Sequence, residues 1–80
     1  MSSRLAIPQE LLSDAPLVQL HGRQSVSVEN HGGILEYTQE LVRIAVRRGQ
    51  VCVVGSGMEI CRMTKRVVEI RGRIERVEME

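Results

Sequence analysis

Hydrophobic and polar residues alternate with a period of two along most of the chain after Pro16. This alternation is typical of β-strands that bury one face, whereas amphipathic helices repeat every 3.6 residues. The apolar positions form short groups at 17–20, 26–28, 34–37, 42–46, 51–53, 58–60, 68–70 and 74–79. The pattern therefore predicts an all-β protein with seven or eight short strands.

Short turn sequences, most of them containing Gly or Asn, separate these groups. They lie at 21–23, 30–33, 38–40, 48–49, 55–57, 63–65 and 72. Turns this short connect antiparallel strands, because a parallel crossover needs a dozen or more residues. We therefore expect an antiparallel β-meander with sequential neighbours paired, arranged as a small sandwich or an open barrel. Since strands recur about every ten residues, a short β-solenoid is the competing architecture.

The first 15 residues follow another pattern. Pro8 precedes a run that contains Glu10, Leu11 and Leu12, and Pro16 would end a helix begun there. We expect a short N-terminal helical segment over residues 1–15 and strands over residues 16–80. A chain of 80 residues supports only one core, so residues 1–80 should form a single domain.

Residues 41–47 alternate cleanly between apolar and polar positions, so this strand should have one dry face. Ile44 and Val53 are predicted to lie in the core. The run 51–54 is apolar throughout and needs cover on both sides. Either the N-terminal Leu11 and Leu12 or a second subunit would supply that cover, and the sequence leaves both open.

The apolar phase of the last strand shifts between Ile74 and Val77. Such a shift indicates a β-bulge, or an edge strand whose charges discourage aggregation.

Composition points to marginal stability. Tyr37 is the single aromatic residue, so Val, Ile, Leu and Met must build the core. Small domains without large aromatic residues, disulfides or metals commonly gain stability by association, and we expect a homo-oligomer.

Cys52 and Cys61 lack a metal or redox spacing, and we expect both to behave as small apolar residues. With no signal peptide or apolar run of about 18 residues, a cytoplasmic location is expected.

Positive charge is concentrated between residues 43 and 76, where nine basic residues and three acidic ones give a net charge of +6. This stretch is either a solvated sheet surface with cross-strand ion pairs or a surface that docks on an anionic membrane or protein. The candidate interaction surface consists of Arg43, Arg47, Arg48 and Val54. Nucleic acid is not expected as a partner, because single-strand binders that use β-sheets add stacking aromatics.

The sequence contains no recognisable catalytic or cofactor motif, and no enzyme activity, cofactor or metal is expected. Residues 55–57 lead into another strand and are interpreted as a hairpin turn, not as a phosphate loop. His21 and His31 lack metal-ligand spacing, and Ser25 and Ser27 lack an identifiable base. The alternative function is a small ligand- or partner-binding β module whose site lies in the turn Asn30–Gly33.

The segment 29–38, Glu-Asn-His-Gly-Gly-Ile-Leu-Glu-Tyr-Thr, and the closing segment 68–77, Val-Glu-Ile-Arg-Gly-Arg-Ile-Glu-Arg-Val, resemble the YabP/YqfC family of sporulation proteins, most closely its YqfC branch. The resemblance covers nearly the whole chain. It implies a protein of endospore-forming bacteria, made in the mother cell, with no established catalytic activity. It further implies a scaffolding or interaction role at the forespore envelope, beside a sporulation membrane protein, but it supplies no site residues.

Overall fold

The computed structural model describes residues 15–80, which form strands and turns without a helix. Among these residues there is accordingly no helix long and apolar enough to cross a membrane. Apart from Ala15, the predicted N-terminal helical segment lies outside the described residues, and so do Leu11 and Leu12.

In this described part of the chain, six strands form one antiparallel sheet. They are β1 (Leu17–His21), β2 (Ser25–Glu29), β3 (His31–Tyr37), β4 (Leu41–Val46), β5 (Gly49–Met63) and β6 (Val67–Met79). Their order across the sheet is β1-β2-β6-β5-β4-β3. The all-β antiparallel prediction is confirmed, and the solenoid alternative is wrong.

Within residues 15–80 the eight predicted apolar groups form six strands, because two pairs of predicted strands are continuous. The 15-residue β5 runs through Gly55-Ser56-Gly57, and the 13-residue β6 runs through Gly72. Neither segment is a hairpin turn. Glycine within a strand has the same local signature as glycine in a turn, but here it marks a bend and a change of register.

The sheet bends at these glycines into two half-sheets that share β5 and β6. The first half-sheet contains β1, β2, residues 67–71 of β6 and residues 59–63 of β5. The second contains β3, β4, residues 49–54 of β5 and residues 74–79 of β6. Two of the hairpin turns, β3–β4 and β1–β2, are hydrogen-bonded to the bend: Gln39 O accepts from Met58 N at 3.0 Å, and Arg23 O accepts from Ile74 N at 2.8 Å.

One hydrophobic core lies between the inner faces of the half-sheets. Val26, Val28, Val68 and Ile70 come from the first, and Val42, Ile44, Val51 and Val53 from the second; all are fully buried and belong to the same cluster as Met58. A flat sheet cannot bury one face to this extent, so the bend creates the core. The predicted burial of Ile44 and Val53 is confirmed.

The connection from β2 to β3 departs from the meander. The predicted turn Asn30–Gly33 is not a hairpin: Asn30 alone links the strands, which belong to different half-sheets, and β3 already begins at His31. The second neighbour of β2 is β6 instead. Asn30 has φ 62, in the left-handed region that Asn tolerates better than most residues.

The phase shift in the last strand is a bulge at Glu75. Val54 pairs with Arg76 and Gly55 pairs with Ile74, which leaves Glu75 without a partner on β5. Beyond this bulge no described strand pairs with the second side of β6, since β2 reaches only to Arg71. The end of β6 is therefore also an edge.

Candidate interaction surface

The outer face of the second half-sheet carries two of the four predicted surface residues. Because Val42 and Ile44 point into the core, Arg43 points outwards between them. Cross-strand pairing sets Arg43 beside Glu36 of β3 and Cys52 of β5. Arg43 thus lies within a row of outward-facing residues that crosses the half-sheet.

An ion pair already engages Arg43. Its Nε lies 3.2 Å from Glu36 Oε1, and the two side chains are 43% and 47% exposed. The buried Nε nevertheless has no aligned hydrogen-bond acceptor. The contact is therefore electrostatic attraction between partly solvated groups, a type that contributes about 0–1 kcal/mol to stability. Arg43 keeps unused hydrogen-bonding capacity.

Val54 lies on the same outer face, two residues after Cys52, and is half-buried. Its cross-strand neighbours are Leu41 of β4 and Arg76 of β6. Arg76 in turn lies near Glu78, with Nε 3.5 Å from Oε2. An apolar strip of Val54 and Leu41 therefore lies between two arginines on a surface that would otherwise be expected to be polar.

The other two predicted residues form the turn between β4 and β5. Arg47 and Arg48 are both exposed, and Arg48 has φ 70. The turn lies at the ends of β4 and β5 in the same half-sheet. All four predicted surface residues therefore belong to one half-sheet, although only Arg43 and Val54 share its face.

The remaining basic residues are dispersed. Arg62 and Arg71 lie on the outer face of the first half-sheet, paired across strands with Glu69 and Glu59. Lys65 and Arg66 lie in the turn between β5 and β6, an exposed position. The continuous basic stretch of the sequence is thus split between two opposite faces of the molecule.

The two cysteines differ in their surroundings. Cys52 is buried, with 4% exposure. Burial, with the charges of Glu80 and Glu78 and against the effect of Arg43, raises the pKa of the Cys52 thiol. A thiol that stays protonated is a poor nucleophile and metal ligand. Cys61, also expected to behave as a small apolar residue, is instead exposed, and a register shift falls between Ile60 and Arg62.

The polar groups of the Asn30–Gly33 segment are used within the fold. The Asn30 amide nitrogen Nδ2 donates to Ala15 O at 2.7 Å, and the backbone N–H of Asn30 donates to Arg66 O at 2.6 Å. His31 Nε2 lies 2.8 Å from Thr64 O, while its Nδ1 accepts from Gly33 N at 3.0 Å. Only the neutral Nε2–H tautomer satisfies both contacts. The segment therefore joins the two half-sheets instead of presenting free groups to a ligand.

His21, Ser25 and Arg71 line an open depression on the first half-sheet. No acidic side chain from residues 15–80 lines this depression. Among residues 15–80, no three His, Cys, Asp or Glu side chains come close enough together to hold a metal ion. Ser27, also on this outer face, is buried with 7% exposure between its neighbours on β1 and β6.

Sequence reasoning missed the exposed apolar side chains at the open sides of the bent sheet. Leu20 is 55% exposed and Met79 is 60% exposed, although both lie on the same face of the sheet as the core residues they pair with. Tyr37 is 49% exposed, and its hydroxyl accepts a hydrogen bond from Ile60 N at 3.0 Å. Their position at a strand edge could not be recognised without the order of strands in the sheet.

Comparison with known proteins agrees with the resemblance seen in the sequence. The chain is 27% identical over 75 residues to a protein of Bacillus subtilis strain 168 described as uncharacterized protein YqfC, an alignment that covers 94% of this chain and 81% of the relative. No solved structure matches the chain. The model of the YabP family matches residues 14–80, which include every strand described above. The chain therefore belongs to the YabP family, a family related to sporulation.

Proposed function

We propose that this protein is a non-enzymatic structural or interaction component of the developing forespore envelope, present in the mother-cell cytoplasm and recruited to the forespore outer membrane. It acts as a homo-oligomer and docks on an acidic segment of a sporulation membrane protein. Membership of a sporulation-related family supports the process.

The observation that carries the docking proposal is the apolar strip of Val54 and Leu41 between Arg43 and Arg76. Apolar side chains on an outer face give up hydration when a partner covers them, and the arginines select a partner of negative charge. A protein segment satisfies both requirements. Binding to an anionic lipid headgroup layer would require only the positive charge of the arginines, not the apolar strip.

A localisation experiment in sporulating cells tests this proposal. The variant Arg43→Gln/Arg47→Gln removes two positive charges from the second half-sheet and its turn without adding carboxylates beside Glu36. The matched control, Arg71→Gln/Arg73→Gln, removes two charges elsewhere. Fluorescent fusions of the wild type and the control should collect at the forespore envelope, whereas the first variant should remain in the mother-cell cytoplasm.

Thermal melts of the purified variants check that both remain folded. Cross-linking from sporulating cells should recover a membrane protein with the wild type and the control only. Equal envelope localisation of all three proteins would contradict the proposed surface. Salt-sensitive binding to phosphatidylglycerol vesicles, with no protein cross-linked, would instead identify lipid as the partner and refute the docking proposal in its present form.

A further inference from the structure

The free side of β6 after its bulge has backbone groups available for pairing. Gln50 and Glu80 exchange both backbone hydrogen bonds, at 2.9 and 2.8 Å. Since hydrogen-bonded and non-hydrogen-bonded pairs alternate in an antiparallel ladder, Cys52 and Glu78 form the next bonded pair. The N–H and C=O groups of Val77 and Met79 consequently point away from β5, on the side where no described strand lies.

On the opposite side of the bent sheet, backbone groups of β5 have hydrogen-bond partners. There, Met58 N donates to Gln39 O and Ile60 N donates to the Tyr37 hydroxyl, so these two outward amides of β5 have partners. On the β6 side, Leu20 occupies the border of an open groove with Ile74 and Val77. A leucine side chain cannot accept a hydrogen bond, and this edge remains both apolar and unsatisfied among residues 15–80.

The sequence of this edge is complementary to itself. In an antiparallel pair of two β6 strands centred on Val77, the two valines face each other and Arg76 of each copy lies opposite Glu78 of the other. Both residues are on the outer face and exposed, at 64% and 50% of their side chains. Charges at a strand edge usually discourage pairing, but in this register they attract.

The other two edges are less suited to self-pairing. β3 contains register shifts between His31 and Gly33 and between Ile34 and Glu36, which interrupt its ladder. β1 has only five residues, and none of them is acidic to match a basic residue of a second copy.

We infer that two copies of this chain associate through the β6 edge as a two-fold symmetric antiparallel pair centred on Val77. The second half-sheets then form one continuous sheet. In it, the outward backbone groups of Val77 pair with those of Val77 in the other copy, Met79 lies opposite Glu75 of the other copy, and Leu20 is covered. A two-fold axis makes the interface isologous, so each Arg76–Glu78 contact occurs twice. The inference deepens the self-association in the proposed function by naming its interface, and it does not depend on docking at the forespore.

Charge exchange between copies tests this register in purified full-length protein. Arg76→Glu places two acidic side chains opposite each other, twice per dimer, and Glu78→Arg does the same with basic side chains. Each variant alone should self-associate about tenfold more weakly than the wild type, or more weakly still. An equimolar mixture of the two should recover association, because every cross-strand pair is again of opposite charge.

The mixture is the decisive sample, since neither variant retains the Arg76–Glu78 contact within its own chain. Light scattering with size exclusion and sedimentation equilibrium give the association constants, and a thermal melt of each variant verifies folding. A monomeric wild type would overturn the inference, as would single variants that associate as tightly as the wild type. A chain that dimerises only after removal of residues 1–14 would also refute it, by showing that this segment occupies the edge.

Discussion

Alanine substitutions at the bend test how the long strands change direction. At Gly72 an added Cβ would lie 2.7 Å from Met58 Cα and 2.8 Å from Gly57 O, and φ is +153. At Gly55 it would overlap the Arg73 carbonyl oxygen and lie 3.0 Å from the carbonyl carbon, without a left-handed backbone. Every contacting atom belongs to the backbone, so no change of rotamer can relieve the overlap.

Two other glycines supply matched controls. Gly57 has φ +60 but nothing within 4 Å of an added Cβ, whereas Gly32 has ordinary contacts, the nearest at 3.6 Å from Ala45 Cβ. The four sites thus separate steric overlap from backbone strain. Gly55 tests overlap alone, Gly57 tests strain alone, Gly72 tests both and Gly32 tests neither.

The expected losses follow from these environments. Gly32→Ala should change the free energy of unfolding by less than about 0.5 kcal/mol, because a more restricted unfolded chain offsets small packing effects. Gly57→Ala should cost about 1–2 kcal/mol for the left-handed conformation. Gly55→Ala should cost about 1–3 kcal/mol from overpacking. Gly72→Ala combines both terms, at about 2–5 kcal/mol, a large share of the roughly 4–12 kcal/mol expected for 80 residues.

Urea denaturation followed by far-ultraviolet circular dichroism measures these values, with the slope m checked for two-state behaviour. Gly72→Ala and Gly55→Ala should be the most destabilised variants, Gly57→Ala should be less destabilised, and Gly32→Ala should be the least affected. If Gly55→Ala and Gly72→Ala are as stable as Gly32→Ala, the strands do not approach each other at the bend and the two half-sheets are not arranged as described.

Three further predictions concern the core and the thiols. Ile44→Ala and Val53→Ala should each lower the free energy of unfolding by about 2–4 kcal/mol, since both side chains are fully buried. A urea titration giving a loss of less than about 0.5 kcal/mol for both would show that these side chains do not point into the core. In native protein, Ellman's reagent should label Cys61 rapidly and Cys52 slowly, and Cys61→Ser should remove the rapid phase; two equally rapid thiols would show that Cys52 is accessible. Because the folded state raises the pKa of Cys52 above its ordinary 9.0, this thiol's contribution to stability should be complete below about pH 9 and decline above it, a decline that Cys52→Ser should reduce in urea titrations.

The strand class and the core positions could be predicted because they depend on local alternation. Ile44 and Val53 occupy the apolar phase of short runs, and parity alone assigns them to the inner face. The same parity places Arg43 and Val54 together on the outer face.

The number and partners of the strands could not be predicted from the same information. Gly55 and Gly72 interrupt the alternation as a turn would, yet the chain continues in the same strand. The pairing of β2 with β6 joins residues about 40 positions apart, and nothing local specifies it. The ion pair of Arg43 with Glu36 likewise depends on the bulge in β3, which shifts the register after Ile34.

The division of the basic stretch between two faces follows from the same unpredicted strand arrangement. A net charge concentrated in 34 consecutive residues suggests one charged surface only if the strands involved remain on one side of the molecule. Here β5 and β6 cross the bend, so Arg71 belongs to one outer face and Arg76 to the other. Each then meets acidic residues of its own half-sheet. What remains distinctive is a local arrangement: an apolar strip beside Arg43, and an edge where Arg76 and Glu78 alternate. Any selective binding by this protein must therefore depend on the position of particular charges along a strand, not on the overall charge of the segment.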